Sequence, residues 1–347
     1  MKLLVCAMEA SSNIHLKELK KYLSDDVELV GVFDKELGNP LYDLTALAIM
    51  GIVDALKKLR FFFKLRDELV DLAKDCDKVL LMDSSGFNLP LAKKLRETYP
   101  NKEIIYYILP QAWAWKKGRV KKLEAYCSKL CSIIPFESEI YNDKNKITYV
   151  GHPLLDEIQV FKEELTNTNK IAFMPGSRKT EITNLMPIFR ELIKKLPNKE
   201  YILIIPAKFD ENYIKKIYGD ISNFTISKNT HKTLQEAEYA FICSGTATLE
   251  AALIGTPFTL SYIAKKIDYF IGNLFVKLNF VGLANIFFEK MGKSALHSEF
   301  LQEQVNVENL FNDYQNMDKK LFFENSKILR EYLKNGSSQN VAKIIQN

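Results

Sequence analysis

The chain has 347 residues, 47% of them hydrophobic, with 48 Lys and Arg against 43 Asp and Glu and a formal net charge of +5. That length predicts two domains rather than one. The mild, scattered surplus of cations lacks the basic face a nucleic-acid partner requires, so none is expected.

The first apolar run, within residues 1–8, is too short for an export signal and reads as a buried strand. In chain order, strand-length apolar runs then alternate with helical periods. The first half offers Leu3–Ala7, Glu28–Val32, Lys78–Met82, Glu103–Ile108, Leu130–Ile134 and Thr148–Val150 as predicted strands. The second half offers Ile171–Met174, Tyr201–Ile205, Phe224–Ile226, Ala240–Cys243 and Pro257–Ser261. Such alternation predicts an α/β fold with doubly wound parallel sheets. The polar stretch Lys162–Asn169 separates the two series. Two Rossmann-like domains are therefore expected, residues 1–160 and 168–320, facing each other across a cleft. The charged helical tail, residues 321–347, is expected to return and brace the first domain.

Five cysteines (Cys6, Cys76, Cys127, Cys131, Cys243) form an odd set without a pairing framework, which fits a reducing cytosol. Cys127 and Cys131 lack companions to complete a zinc set, so no metal is expected, and no cofactor. No run approaches the ~20 apolar residues of a spanning helix.

Ligands of wound sheets sit beyond the carboxyl ends of strands. In the first half those ends are Met8-Glu9-Ala10-Ser11-Ser12-Asn13, Asp83-Ser84-Ser85-Gly86-Phe87-Asn88 and Pro110-Gln111-Ala112-Trp113-Ala114-Trp115. Asp83 emerges directly from a buried run, where a general base belongs, and Glu9 is the second candidate. Capping or turn formation is the ordinary alternative for either. Trp113 and Trp115 precede the cations Lys116, Lys117, Arg119, Lys121 and Lys122; core packing is their default role.

In the second half two strand-to-helix turns, Pro175-Gly176-Ser177-Arg178 and Ser244-Gly245-Thr246-Ala247-Thr248, point backbone N–H groups at an anion. Gly176 and Gly245 allow close backbone approach, and Ser177, Ser244, Thr246 and Thr248 add hydroxyls. Arg178 adds a forked cation suited to a diphosphate. Glu250, one helical turn further on, suits sugar hydroxyls. Either turn alone is an ordinary capped βα turn; two together, one with an Arg, point to a phosphate site.

The string Pro110-Gln111-Ala112-Trp113-Ala114-Trp115-Lys116-Lys117-Gly118-Arg119-Val120 carries a specific resemblance. With it go Pro135-Phe136-Glu137, Gly151-His152-Pro153, Pro175-Gly176-Ser177-Arg178 through Glu181, and the turn from Ser244 to Glu250. Together these resemble the lipid-A-disaccharide synthases. Met50-Gly51-Ile52-Val53, Asp83 with Phe87-Asn88, and Asn285 fit the same pattern, in order from residue 3 to about 303. The resemblance implies a GT-B glycosyltransferase of the inverting, metal-independent kind. It would join UDP-diacylglucosamine to diacylglucosamine 1-phosphate, form the β-1′,6 disaccharide of lipid A, and release UDP. It further implies an activity-bearing carboxylate at Asp83, a first-strand loop at Glu9 and Ser11, an active-site arginine at Arg178, and a late cleft residue at Asn285. Asn88, Trp113, Trp115 and Arg119 fall on the acceptor side. The chain departs from the usual pattern at Met8, at Ser12-Asn13, at Gly86, where a second Asp is common, and at Ala284, which replaces a Pro.

Both implied substrates carry acyl chains, so the protein is expected to be cytoplasmic and peripheral on the inner face of the cytoplasmic membrane. Residues 47–66 place Met50, Val53, Leu56 and Phe63 at helical spacing, with Ile52, Leu59, Phe61, Phe62 and Leu65 widening the apolar area and Lys57, Lys58, Arg60, Lys64 and Arg66 as cations. That mixture suits a helix in an anionic interface; a core helix with a solvated basic face is the alternative. A second aromatic stretch within residues 262–288 suits cleft lining or acyl contact equally. A homodimer is compatible with all of this. The rival readings are a peptidoglycan N-acetylglucosaminyltransferase-like enzyme, a UDP-sugar epimerase, and a non-catalytic nucleotide-sugar sensor. A dinucleotide oxidoreductase is weaker, because no Gly-x-Gly-x-x-Gly follows the first strand.

Overall fold

Aliphatic runs buried on both faces form two all-parallel sheets, as expected where helices cover each side. The computed structural model describes residues 1–43, 55–114, 117–165, 167–263 and 278–347. The chain divides into two units, Met1–Glu157 with Leu333–Asn347, and Ile158–Tyr332.

The first unit holds β1 (Lys2–Ala7), β2 (Glu28–Phe33), β3 (Tyr42–Asp43), β4 (Lys78–Met82), β5 (Glu103–Tyr107), β6 (Lys129–Ser132) and β7 (Ile147–Tyr149). Their order across the sheet is β3-β2-β1-β4-β5-β6-β7. Its helices are α1 (Ala10–Lys20), α2 (Ala55–Leu72), α3 (Ser85–Thr98), α4 (Gly118–Tyr126) and the short α5 (Leu154–Glu157). Period-two alternation sends Leu4, Cys6, Leu81 and Tyr106 to one face, under Leu65, Leu69, Leu95 and Leu123 from α2, α3 and α4. Leu3, Val5, Met82 and Tyr107 face the other way, under Leu16 and Leu19 of α1.

The second unit holds β8 (Lys170–Met174), β9 (Glu200–Ile204), β10 (Thr225–Ser227), β11 (Tyr239–Cys243), β12 (Phe258–Tyr262) and β13 (Glu299–Leu301), ordered β10-β9-β8-β11-β12-β13. Around it lie α6 (Lys179–Leu192), α7 (Glu211–Tyr218), α8 (Thr230–Glu236), α9 (Thr246–Ile254), α10 (Leu283–Lys290), α11 (Val307–Asn316) and α12 (Lys319–Leu333). Phe173 and Phe241 stack at 5.4 Å in its core, with Phe189 of α6 edge-on to Phe173 at 5.2 Å.

The last helix, α13 (Ser337–Gln346), belongs to the first unit and buries Val341 and Ile345 beside α1. Asp156 fixes its start by accepting from the N–H groups of Gly336 and Ser338 at 2.6 and 2.7 Å. Of the expected tail, residues up to Tyr332 fall in the second unit.

The winding reverses between β1 and β4 in the first sheet and between β8 and β11 in the second. At such a switch point the connections leave adjacent strands in opposite directions and open a crevice at the strand ends. The edge strands β3 and β13 escape the sequence reading, since two or three half-buried residues present no apolar run. β6 stops at Ser132, short of Ile134, because the Ser132 hydroxyl accepts the Ile134 N–H at 3.1 Å and turns the chain.

Candidate functional site

At the β1/β4 switch, Asp83 and Ser84 occupy left-handed backbone conformations, with φ of 49° and 39°. Two adjacent non-glycine residues there cost about 1–3 kcal/mol each and persist only when their surroundings hold them. The Asp83 N–H donates to the Tyr107 carbonyl at 3.2 Å. Its carbonyl accepts from the Tyr106 hydroxyl at 2.5 Å and from the Asn88 amide at 3.0 Å. Asn88 is fully buried and also donates to the Met82 carbonyl at 2.9 Å. Its amide thus holds the Asp83 turn instead of facing a ligand. Tyr106 does the same, and sequence reasoning misses it because it reads as one more buried strand residue.

The Asp83 carboxyl is pushed above its ordinary range, first by burial, then by the nearby charge of Glu9; the Ser84 N–H and His15 oppose the shift. Glu9 accepts from the Ser84 hydroxyl at 3.1 Å, tying the two loops together. Both carboxylates line a cavity of about 720 Å³ together with Met8, Leu59, Phe62, Phe63, Arg66 and Phe87. Leu59 and Phe63 are 53% and 49% exposed. Phe62 packs on Phe87 at 5.8 Å and Phe61 edge-on to Tyr42 at 5.7 Å.

Leu65 is fully buried, which corrects its place in the expected lipid-facing area; with Leu69 and Val70 it forms the core-facing side of α2. Arg60 is exposed, and Lys64 pairs with Glu68 at 3.4 Å. Lys57 and Lys58 begin α2, with their side chains outside the described set, and Met50–Val53 and Trp115 lie outside the described residues. Ser11 is exposed on the first turn of α1. Trp113 packs edge-on against Phe136 at 5.2 Å and lines neither this cavity nor its neighbour. Arg119 lines that neighbour, which shares Ser85, Gly86 and Pro90 with the first.

At the β8/β11 switch both expected turns meet on one cavity of about 390 Å³, together with Glu250 and Thr230. The N–H groups of Gly245, Thr246 and Ala247, at the start of α9, find no acceptor among the described residues. N–H groups so placed can cradle an anion, and the helix dipole adds to their pull. Thr248 is buried and donates to the Gly245 carbonyl at 2.8 Å, so its hydroxyl secures the turn rather than facing the cavity.

The first turn is built differently. Glu181 reaches back so that one carboxylate oxygen accepts the N–H groups of both Ser177 and Arg178 at 3.1 Å, while the other binds the Arg178 guanidinium at 2.8 Å. These amides are therefore already satisfied, which corrects the expectation of a second open cradle; the guanidinium, on a 76% exposed side chain, is what this turn presents. Gly176 is obligatory: with φ of 102°, a Cβ would sit 2.4 Å from the Glu181 carboxylate.

Glu250 is paired with His231 at 3.4 Å. A lone His carries no signal in the sequence; only the fold brings α8 beside α9. Asn285 is fully buried, donating to the His297 carbonyl at 2.9 Å and to Glu299 at 2.8 Å and accepting from the N–H groups of Leu296 and His297 at 2.7 and 3.1 Å. Its amide pins the approach to β13 and does not line the cavity. Among the described residues no group of three or more His, Cys, Asp and Glu is arranged to hold a metal ion.

A UDP-GlcNAc 2-epimerase from Neisseria meningitidis bound to UDP-GlcNAc shares this fold with a TM-score of 0.65 and 13% identity over 100% of both chains. The calicheamicin glycosyltransferase CalG4 does so at 0.60 and 10%, covering 99% of this chain and 97% of that one. The architecture is GT-B. The family model for lipid-A-disaccharide synthetase matches residues 3–345. The lipid-A-disaccharide synthase of Helicobacter pylori strain G27 is 49% identical over 352 residues, 98% of this chain and 96% of that protein. That of Campylobacter jejuni strain RM1221 is 49% identical over 363 residues, 99% and 98% of the two chains. With both switch-point cavities inside the matched span, the chain belongs to the lipid-A-disaccharide synthase family.

Proposed function

We propose that the chain condenses UDP-2,3-diacylglucosamine with 2,3-diacylglucosamine 1-phosphate, giving the β-1′,6-linked lipid A disaccharide 1-phosphate and UDP. Family membership over nearly the whole chain supports this above the epimerase, peptidoglycan-transferase and sensor readings. The second unit would hold the nucleotide, with its diphosphate on the amides of Gly245, Thr246 and Ala247 and against Arg178, and a sugar hydroxyl on Glu250. Charge that develops on departing UDP would meet preorganised N–H dipoles and a guanidinium, without a metal.

In the first unit, Asp83 would take the proton from the acceptor's primary hydroxyl as that oxygen attacks the anomeric carbon from the face opposite UDP. A single displacement inverts the centre. The observation that carries this reading is the Asp83 carboxylate itself, held by a strained turn on the wall of a cavity also lined by Leu59, Phe62, Phe63 and Phe87. Burial raises its basicity, which favours proton transfer. Glu9, bonded to Ser84, would shape the pocket and keep that basicity high.

Docking follows from the same wall. Leu59 and Phe63 are exposed beside Asp83, and Arg60, Lys64 and Arg66 stand on the same helix. We assign this part of α2 to an anionic bilayer surface on the cytoplasmic side, from which acyl chains enter the cavity. No helix among the described residues is long and apolar enough to cross a membrane. The deciding experiment is a product assay with both lipid substrates: disaccharide and UDP are expected in equal amounts from the wild-type protein. UDP release without disaccharide would overturn the proposal.

A further inference from the structure

We propose that the cavity beside the Asp83 pocket, lined by Gly118, Arg119 and Lys122, is a phosphate subsite that takes the anomeric phosphate of the acceptor. The proposal rests on the function argued above and adds what fixes the acceptor's orientation. The cavity measures about 480 Å³ and shares Ser85, Gly86 and Pro90 with the Asp83 pocket, so one sugar can extend from one into the other.

The two spaces have opposite electrostatic character. The Asp83 pocket carries the carboxylates of Glu9 and Asp83; its neighbour is lined, among the described residues, by two cations and no carboxylate. Arg119 and Lys122 stand three apart on α4 and so share a face. The charge of Arg119 is felt by Tyr106, whose hydroxyl holds the Asp83 carbonyl. α3 begins at Ser85 and α4 at Gly118, so two helix starts add positive potential to that of the side chains. A Cβ added at Gly86 or Gly118 would meet nothing within 4 Å, so both backbones border open space.

An acceptor with a primary hydroxyl, acyl chains and a phosphate then has one favourable placement. Its hydroxyl meets Asp83, its chains follow Leu59, Phe62 and Phe63, and its phosphate lies with Arg119 and Lys122. Reversal would set a dianion against two carboxylates. In the sugar ring the carbon that bears the primary hydroxymethyl group and the anomeric carbon both flank the ring oxygen, so the two groups are near neighbours and fit two cavities that adjoin.

A phosphate could instead belong to a bilayer lipid, and the test separates the sources. Arg119→Ala, Lys122→Ala and Lys122→Glu are assayed in neutral detergent with the phosphorylated acceptor and with the neutral methyl glycoside of the same diacylglucosamine. Binding to phosphatidylglycerol vesicles is measured by sedimentation. Each loss of a charge-assisted bond should raise KM for the phosphorylated acceptor roughly tenfold or more, leave kcat nearly unchanged, and leave the methyl glycoside unaffected. Vesicle binding should persist. Lys122 is exposed on α4, so its variants carry the test even if Arg119→Ala disturbs Tyr106. Equal losses with both acceptors, unaltered preference for the phosphorylated one, or loss of vesicle binding with that preference intact overturns the subsite. A wild-type protein that makes no disaccharide from either acceptor overturns the underlying function instead.

Discussion

The two units repeat one topology and put it to opposite uses. Each sheet reverses its winding at the centre, and each cavity opens where the loops after β1 and β4, or after β8 and β11, diverge. In the second unit that crevice is edged by amides without an acceptor among the described residues and by a guanidinium; in the first it is lined by two carboxylates and by aromatic side chains. The scaffold fixes where a ligand can sit, while a handful of loop residues decides the sign of charge it meets. Backbone strain differs too: the second unit's turns place Gly176 and Gly245 at their special φ values, whereas the first unit's forces Asp83 and Ser84 into them.

The largest effect expected from breaking this contrast is at Asp83. Asp83→Asn should lower kcat by about 10²–10⁴ with donor affinity retained, read by steady-state kinetics. The same variant should be more stable than wild type at neutral pH. Burial raises the carboxyl pKa, so the folded chain keeps this proton to higher pH than the unfolded chain; stability is fullest below the ordinary range and falls as pH rises through the raised value. Melting temperatures of variant and wild type should therefore differ at neutral pH and converge near about pH 3, where both side chains are uncharged. A variant that melts lower throughout would contradict the assignment of desolvation as the dominant cause.

Next comes Gly176→Ala, which sets a methyl against Glu181 in a left-handed turn and should destabilise by about 2 kcal/mol while raising donor KM. An unshifted melting curve would show that the turn relaxes freely. A smaller change is expected from Leu59→Ser with Phe63→Ser: roughly tenfold weaker partition onto anionic vesicles, from lost apolar burial, with the fold intact by circular dichroism. Retained partition would move the docking surface elsewhere. The smallest effect belongs to His231→Ala, a few-fold rise in donor KM at constant kcat, because its partner Glu250 loses only a partly solvated pair.

The contrast was partly legible before the fold was known. Eleven apolar runs foretold the strands, and the Gly-Ser-Arg and Ser-Gly-Thr turns foretold where the second unit's cavity opens, because strand period and turn chemistry are local properties. Non-local partners were not legible. Glu181 filling the first turn, Asn285 bonded around the start of β13, and Asn88 with Tyr106 holding Asp83 all depend on side chains meeting across the fold. Residue type marked Asn88 and Asn285 as polar and worth attention; only their hydrogen bonds show that each amide nitrogen is spent inside its own unit. The amphipathic α2 lay between these extremes: its apolar stripe was plain, but which part is core, Leu65 and Leu69, and which is bare, Leu59 and Phe63, depended on where the sheet ends.

The left-handed pair at Asp83 and Ser84 bears on directed evolution. A screen that rewards heat tolerance alone would favour glycine or asparagine at position 83, since either relieves conformational strain or a buried charge. Under the role proposed for that carboxylate, the winners would be robust proteins without activity. Any campaign to toughen this scaffold therefore has to select for disaccharide formation in every round.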